Sequence, residues 1–334
     1  MSESLLDRIG VFLFPWGKTP PTIESLTDMA CTIEELGFDS VQIPWHYTLP
    51  TSRIFPAFEN RFCLDPTVVL PIIAHETSRV RIGFNSAVLP TAHPYHWAKW
   101  FASMDVITGG RFIGGVALGW WGEDFTASGT DMKGRARRFD EGLDILADLL
   151  AGRPITEAGE FYDARGLDVA PLPVQRPLPL WLGGGIKSVE RAARYTSALC
   201  PINPSVAEVR DELRPALDAA FGRYGKKAEL ANFTYAVIED DEEILREYHL
   251  PRMRSRLNDM PLGEAMGGTS EKIKLEPIGR VLWGSPDACA AQMRDLIGAG
   301  VDYFVLDFHY HGLEPEEFGK SQMRRFVDEV VPLV

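Results

Sequence analysis

Cysteine is scarce in this chain of 334 residues: Cys31, Cys63, Cys200 and Cys289 stand far apart, and no two form a CxxC pair. That spacing argues against a disulfide scaffold and a thiolate metal site, so buried free thiols are expected. Basic residues are outnumbered as well, 34 against 47 acidic ones, which leaves a net charge of −13. Nucleic acids and anionic membranes are bound through basic patches, so neither is an expected partner. No apolar run approaches the ~18 residues of a membrane span. The N-terminal MSESLLDRIGVFLF lacks the basic start, long apolar stretch and cleavage site of a secretion signal, so a cytoplasmic location is expected. A GxSxG elbow and a Walker A loop are missing too, and no GxGxxG follows the first apolar strand.

What is present is an alternation of strand-like and helix-like segments from end to end. Apolar, β-rich runs fall at 9–14, 40–43, 80–85, 111–118, 178–182, 198–202, 232–238 and 303–308. Several lack in/out alternation, as expected of parallel strands buried on both faces. Between them, Leu26, Met29, Ala30, Ile33 and Leu36 keep helical spacing, as do Phe139, Leu143, Leu146 and Leu150. Cys289, Met293, Leu296 and Ile297 do the same behind Ser285-Pro286, an N-cap followed by proline at the first helical position. A local similarity links the two ends: residues 36–43, LGFDSVQI, match residues 299–306, AGVDYFVL. Both read as helix, C-cap glycine, apolar residue, Asp and buried strand. One closed (β/α)₈ barrel over residues 1–334 is therefore predicted. A doubly wound sheet is the alternative, weakened by the missing GxGxxG. Two long segments, 47–65 and 239–280, are candidate lids over the barrel mouth, with plain exposed insertions as the other reading.

Chemistry concentrates in a few places. Residues 111–141, RFIGGVALGWWGEDFTASGTDMKGRARRFDE, run from a buried strand through Gly119 into a Trp-Trp-Gly-Glu-Asp-Phe loop and an Arg-studded helix. Loops after parallel strands are where such barrels place binding residues. Gly183-Gly184-Gly185, followed by Ile186, Lys187 and Ser188, ends a strand and opens a helix. Backbone N–H groups there suit a phosphate, although a tight turn alone would also call for glycine. His46 lies just beyond the second strand, placed to exchange a proton near neutral pH. His75, His93 and His96 read as structural or surface residues. His309-Tyr310-His311 resembles the HxH pair of metal-dependent barrel hydrolases, yet those carry it after the first strand, where this chain has no histidine. No metal is expected.

Taken in order, these segments resemble the bacterial luciferase-like monooxygenase family through nearly the whole chain. The carrying residues are Gly37-Phe38-Asp39, 79–83 (RVRIG), 104–111 (MDVITGGR), Gly119 to Phe125 with 135–141, 173–177 (PVQRP), Trp181 to Gly185 and 284–287 (GSPD). The resemblance implies a barrel whose C-terminal mouth binds FMN or the deazaflavin coenzyme F420. Residues 46–52 and 64–66 are similar to an actinobacterial F420-dependent subgroup, and Leu118 stands where luciferase has a phosphate-binding arginine, so F420 is favoured. By resemblance, His46 is the catalytic residue beside the redox face. Asn85 and Ser86 fall at a family bulge with a non-prolyl cis peptide, which Ser86-Ala87 would also fit. Gly119 belongs to the same cofactor site; Gly183, Gly184, Gly185 and Lys187 are its phosphate side. Trp45, Trp120, Trp121 and Phe55 are expected to line the substrate pocket. Two departures stand out: Trp45 occupies the position of the subgroup's Asp before the histidine, and Trp120 that of a catalytic acid in some relatives. Glu123 and Phe125 read as anchors of the loop. The implied activity is hydride transfer between F420 and a small, apolar or aromatic substrate. The alternatives are an FMN monooxygenase fed by a reductase partner, and a flavin-binding protein without turnover. A homodimer is expected from the family.

Overall fold

The computed structural model describes residues 4–17, 19–47, 62–252, 280–310, 312 and 314–334. Ten strands lie in one parallel sheet: β1 (Ile9–Phe12), β2 (Ser40–Ile43), β3 (Arg81–Phe84), β4 (Ala87–Val88), β5 (Phe112–Ala117), β6 (Leu180–Gly183), β7 (Ala198–Cys200), β8 (Glu229–Ile238), β9 (Leu282–Gly284) and β10 (Tyr303–Asp307). The order is β10-β1-β2-β3-β5-β6-β7-β8, and β8 also pairs with β10, so the sheet closes on itself. Both β3 and β4 lie along β5 and act as one broken stave, giving an eight-membered barrel. Short β9 extends the outer end of β8. The eight predicted strands are the eight staves, and the closed barrel replaces the doubly wound alternative.

Helices surround the barrel: α1 (Ile23–Glu35), α2 (Pro66–Glu76), α3 (Pro94–Ile107), α4 (Gly122–Ser128), α5 (Arg135–Leu150), α6 (Val189–Tyr195), α7 (Arg214–Arg223), α8 (Pro286–Ala299) and α9 (Glu316–Arg325). Local chemistry sets their starts. Thr22 caps α1, and Asp65 caps α2 with proline at its first turn. Ser285 accepts from the Ala288 amide at the start of α8. The longer helices bury apolar stripes, such as Leu26, Met29, Ala30 and Ile33 of α1 and Phe139, Leu143, Leu146 and Leu150 of α5. All four cysteines are free. No helix among the described residues is long and apolar enough to cross a membrane.

Strand parity divides the core in two. On β1, Phe12 and, beyond it, Phe14 and Trp16 join an inner cluster with Ile113, Trp181, Phe233, Tyr303 and Val305. Their neighbours Val11 and Leu13 join the larger cluster between sheet and helices. The interior is unusually aromatic. Phe12 sits edge-on to Phe233 with centroids 4.7 Å apart, and Trp181 edge-on to Tyr303 at 5.0 Å. Such pairs add about 0.5–1.5 kcal/mol each beyond area burial.

The N-terminal end of the barrel is closed by a polar knot from the two repeated segments. Tyr303 donates to Asp39 at 2.6 Å and meets Ser40 at 2.7 Å, while Arg81 donates to Asp39 at 3.0 Å. Burial, and then the Asp39 charge, hold the Tyr303 phenol well above its ordinary range, so it remains a hydrogen-bond donor.

Candidate active site

The C-terminal ends of the staves bring most of the singled-out residues to one mouth, though not all in the expected roles. His46, three residues past β2, meets a partner that the sequence did not suggest. Its Nδ1 lies 2.6 Å from Asp124 Oδ2, and the Tyr47 amide donates to Asp124 Oδ1 at 2.9 Å. Asp124 is 1% exposed. It sits in the first turn of α4, where the helix dipole favours a carboxylate. An ionised carboxylate only accepts, so the proton resides on Nδ1 and Nε2 is left for a ligand. Trp16 and Trp120 flank the imidazole, with ring centroids 6.1 and 5.9 Å away. The carboxylate beside His46 thus comes from 78 residues downstream, while Trp45 stands directly before the histidine.

Trp45 does not join this group. It is 3% exposed, belongs to the outer core and stacks edge-on against Trp97 of α3 at 5.1 Å. Parity explains the correction: Trp45 faces out with Val41 and Ile43, and His46 faces in with Ser40 and Gln42. Trp120 and Trp121 are half-buried and pack on the inner cluster near Cys63. Phe55 lies outside the described residues, as does most of the two long segments. Phe125 is buried beneath the loop, and the Gly119 carbonyl is held by Arg135 Nε at 3.3 Å.

The peptide bond between Asn85 and Ser86 is cis, at the first of the two expected positions. It falls in the break between β3 and β4, and two side-chain-free positions make room for it. A Cβ on Gly115 would collide with the Phe84 carbonyl, and one on Gly183 would come within 2.6 Å of Ser86 Oγ. Asn85 Nδ2 donates to Cys200 Sγ at 3.3 Å, and burial pushes that thiol up to about 12. The bulge, the glycine turn and the end of β7 are therefore one packed unit.

The glycine turn itself corrects one assignment. The Gly184 amide donates to the Cys200 carbonyl at 3.2 Å, so it is not available to a phosphate. At Gly185, by contrast, a Cβ would meet nothing within 4 Å. Open backbone, exposed Lys187 and the start of α6 adjoin it, which fits an anionic cofactor tail. Among the described residues no three His, Cys, Asp or Glu side chains gather to hold a metal ion. The His309-Tyr310-His311 motif splits: His309 lines a cavity beside α1 and α9, Tyr310 bonds His249 Nδ1 at 2.8 Å, and His311 lies outside the described residues.

Comparison with known proteins bears on the fold and the family. The F420-dependent glucose-6-phosphate dehydrogenase of Amycolatopsis mediterranei is 24% identical over 324 residues, covering 92% of this chain and 93% of that protein. The structure of an F420-dependent secondary alcohol dehydrogenase in complex with an F420-acetone adduct superposes with a TM-score of 0.78. It is 18% identical and covers 98% of each chain. The FMN-bound oxygenating constituent of 3,6-diketocamphane monooxygenase from Pseudomonas putida superposes with a TM-score of 0.70. At 17% identity, the match covers 97% of this chain and 98% of that one. The two solved structures bear on the fold alone; the sequence relatives support an oxidoreductase that uses a deazaflavin or a flavin. Residues 8–303 match the luciferase-like monooxygenase family, and the chain belongs to it.

Proposed function

We propose that the protein exchanges a hydride between coenzyme F420 and a small, apolar or aromatic organic substrate at the barrel mouth. The observation that carries this reading is the His46–Asp124 pair beside the cis bulge and glycine turn. When bound, the deazaflavin supplies the carbon centre that gives or takes the two electrons. Gly183, Asn85 and Ser86 would back the ring, and Gly185 with Lys187 would hold its phosphate. Asp124 fixes the His46 tautomer, so Nε2 accepts a proton from a substrate hydroxyl or, once protonated, returns it to a carbonyl. Trp16, Trp120 and Trp121 keep water from that exchange. The Amycolatopsis relative and Leu118 favour F420. Membership of the luciferase-like monooxygenase family allows a second reading, in which reduced FMN from a reductase partner activates oxygen.

Tryptophan fluorescence decides between them, because Trp16, Trp120 and Trp121 gather at the mouth. F420 and FMN are titrated, each oxidised and reduced. Micromolar binding of F420 with weak FMN supports the deazaflavin reading. Preference for reduced FMN moves the protein to the monooxygenase reading, and binding of neither removes both.

A further inference from the structure

The internal repeat runs further than the strand it was recognised from. Ser40 and Tyr303 are equivalent positions 263 residues apart and hydrogen-bond to each other at the floor. Carried to the other end of the two strands, the same offset pairs Trp45-His46-Tyr47 with Phe308-His309-Tyr310. The parity agrees as well: Phe308 joins the outer core as Trp45 does. His309 is thus the counterpart of His46, and it too carries a carboxylate. Asp307 Oδ1 accepts from the His309 backbone amide at 2.9 Å and lies 3.0 Å from Nδ1. Nδ1 is therefore the protonated nitrogen, and Nε2 has no hydrogen-bond partner among the described residues.

The two histidines stand on strands either side of β1, whose inward aromatics fill the gap between them. Phe14 is 5.3 Å from the His309 ring and 5.2 Å from Trp16, which in turn neighbours His46. On the His309 side lies a cavity of about 860 Å³. Volumes of ~300–1,000 Å³ are typical of small-ligand sites. Leu13, Phe14, Trp16, Pro21 and Leu26 give it apolar walls, and its rim carries Glu314, Glu316 and Glu317. Arg252, the cation among its described lining residues, donates to Glu314 at 2.9 Å. The indole N–H of Trp16 is buried and has no partner among the described residues. An apolar chamber with an acidic rim, a paired arginine and one oriented imidazole suits an uncharged molecule and disfavours an anion.

We propose that His309, oriented by Asp307, binds an uncharged organic molecule in this cavity through a hydroxyl or carbonyl oxygen, at a site separated from His46 by Phe14 and Trp16. The site stands on its own geometry and does not rest on the reading of the cofactor. The test is a titration of protein labelled with ¹⁵N-histidine, using cyclohexanol, cyclohexanone, benzoate and glucose 6-phosphate as probes. The His309 signal is identified by its loss in H309Q, or in H309F should the first not fold. The two neutral probes are expected to move the Nε2 resonance saturably. Their affinity should fall about tenfold in the variant, the loss of one good hydrogen bond, and the anions should bind far more weakly. Three results overturn the proposal: no neutral probe binds, one binds without moving His309, or benzoate binds as tightly as the alcohol. Parallel titrations with F420 and FMN keep the two claims apart. Cofactor binding with a silent His309 removes this site alone; a responsive His309 without cofactor binding removes the F420 and FMN readings alone.

Discussion

The two ends of the barrel are built on the same strands and treat polar groups in opposite ways. At the N-terminal floor, Asp39, Ser40, Arg81 and Tyr303 bond to one another. At the C-terminal mouth, the same two repeats carry His46 and His309, each with one nitrogen on a carboxylate. Mutual satisfaction makes the floor a clamp, because removing any one group strands a buried partner. At the mouth, Nε2 of each histidine has no hydrogen-bond partner among the described residues. Substitutions at the floor should therefore cost stability, and those at the mouth should cost turnover.

The sharpest break of that contrast lies at His46. His46→Ala should lower kcat by ~10²–10⁴-fold, the usual share of a proton-transferring residue. Asp124→Asn should cost about 10–100-fold, as expected when the group that orients a histidine is changed. Steady-state kinetics with the cofactor found by titration is the check. Both variants should keep near-native cofactor affinity and unfolding midpoints. An unfolding midpoint that falls in step with activity would make the pair a second clamp.

At the floor the order reverses. Tyr303→Phe takes a buried donor from the Asp39 carboxylate and an acceptor from the Ser40 hydroxyl, at a cost of about 1–3 kcal/mol. Urea unfolding should show the loss, while kcat of the folded protein stays within about twofold. A variant with native stability and poor turnover would place this knot in the catalytic machinery.

Between these extremes lies the packed unit of the cis bulge. Gly183→Ala sets a methyl 2.6 Å from Ser86 Oγ and should cost ~1–3 kcal/mol through overpacking. Gly185→Ala, in open space, should leave stability unchanged. Paired thermal melts and cofactor titrations compare them. Equal losses would mean that the turn tolerates no side chain anywhere and has no special contact with Ser86.

How much of this was legible follows from the range of each signal. Strand runs and helix stripes are local, so the eight staves and the cap at Ser285 were readable. The repeat at Asp39 and Asp302 pointed to closure for the same reason. The His46 partner was not readable, because pairing 78 residues apart depends on how the β5 loop folds back over β2. Asp124 was in view within the Trp-Trp-Gly-Glu-Asp-Phe run, but nothing local separates a loop anchor from a histidine partner. Trp45 was a different kind of miss. Its outward direction follows from period-two alternation with Val41 and Ile43, a signal present in the sequence and overridden by the attraction of an indole next to a histidine. Gly184 was lost to the β7 carbonyl that takes its amide, a contact only the sheet register supplies.

The smallest effect tests the floor from its charged side. Glu229 opens β8 at the same end of the barrel as Asp39 and Arg81. Burial raises its pKa above the ordinary 4.5, and the Arg81 charge offsets only part of that. A carboxyl whose folded value is raised holds its proton more tightly folded than unfolded. Its favourable contribution is complete below about pH 4.5 and is lost as pH rises through the folded value. Glu229→Gln removes that loss, so the variant should unfold at higher urea than the native protein at pH 7 and at the same urea near pH 4. The gain should be well below the cost of Tyr303→Phe, since Arg81 already compensates part of the buried charge. Equal midpoints at both pH values would mean that the Arg81 charge fully balances the burial. Destabilisation at pH 7 would make Glu229 a member of the clamp, held there as Asp39 is.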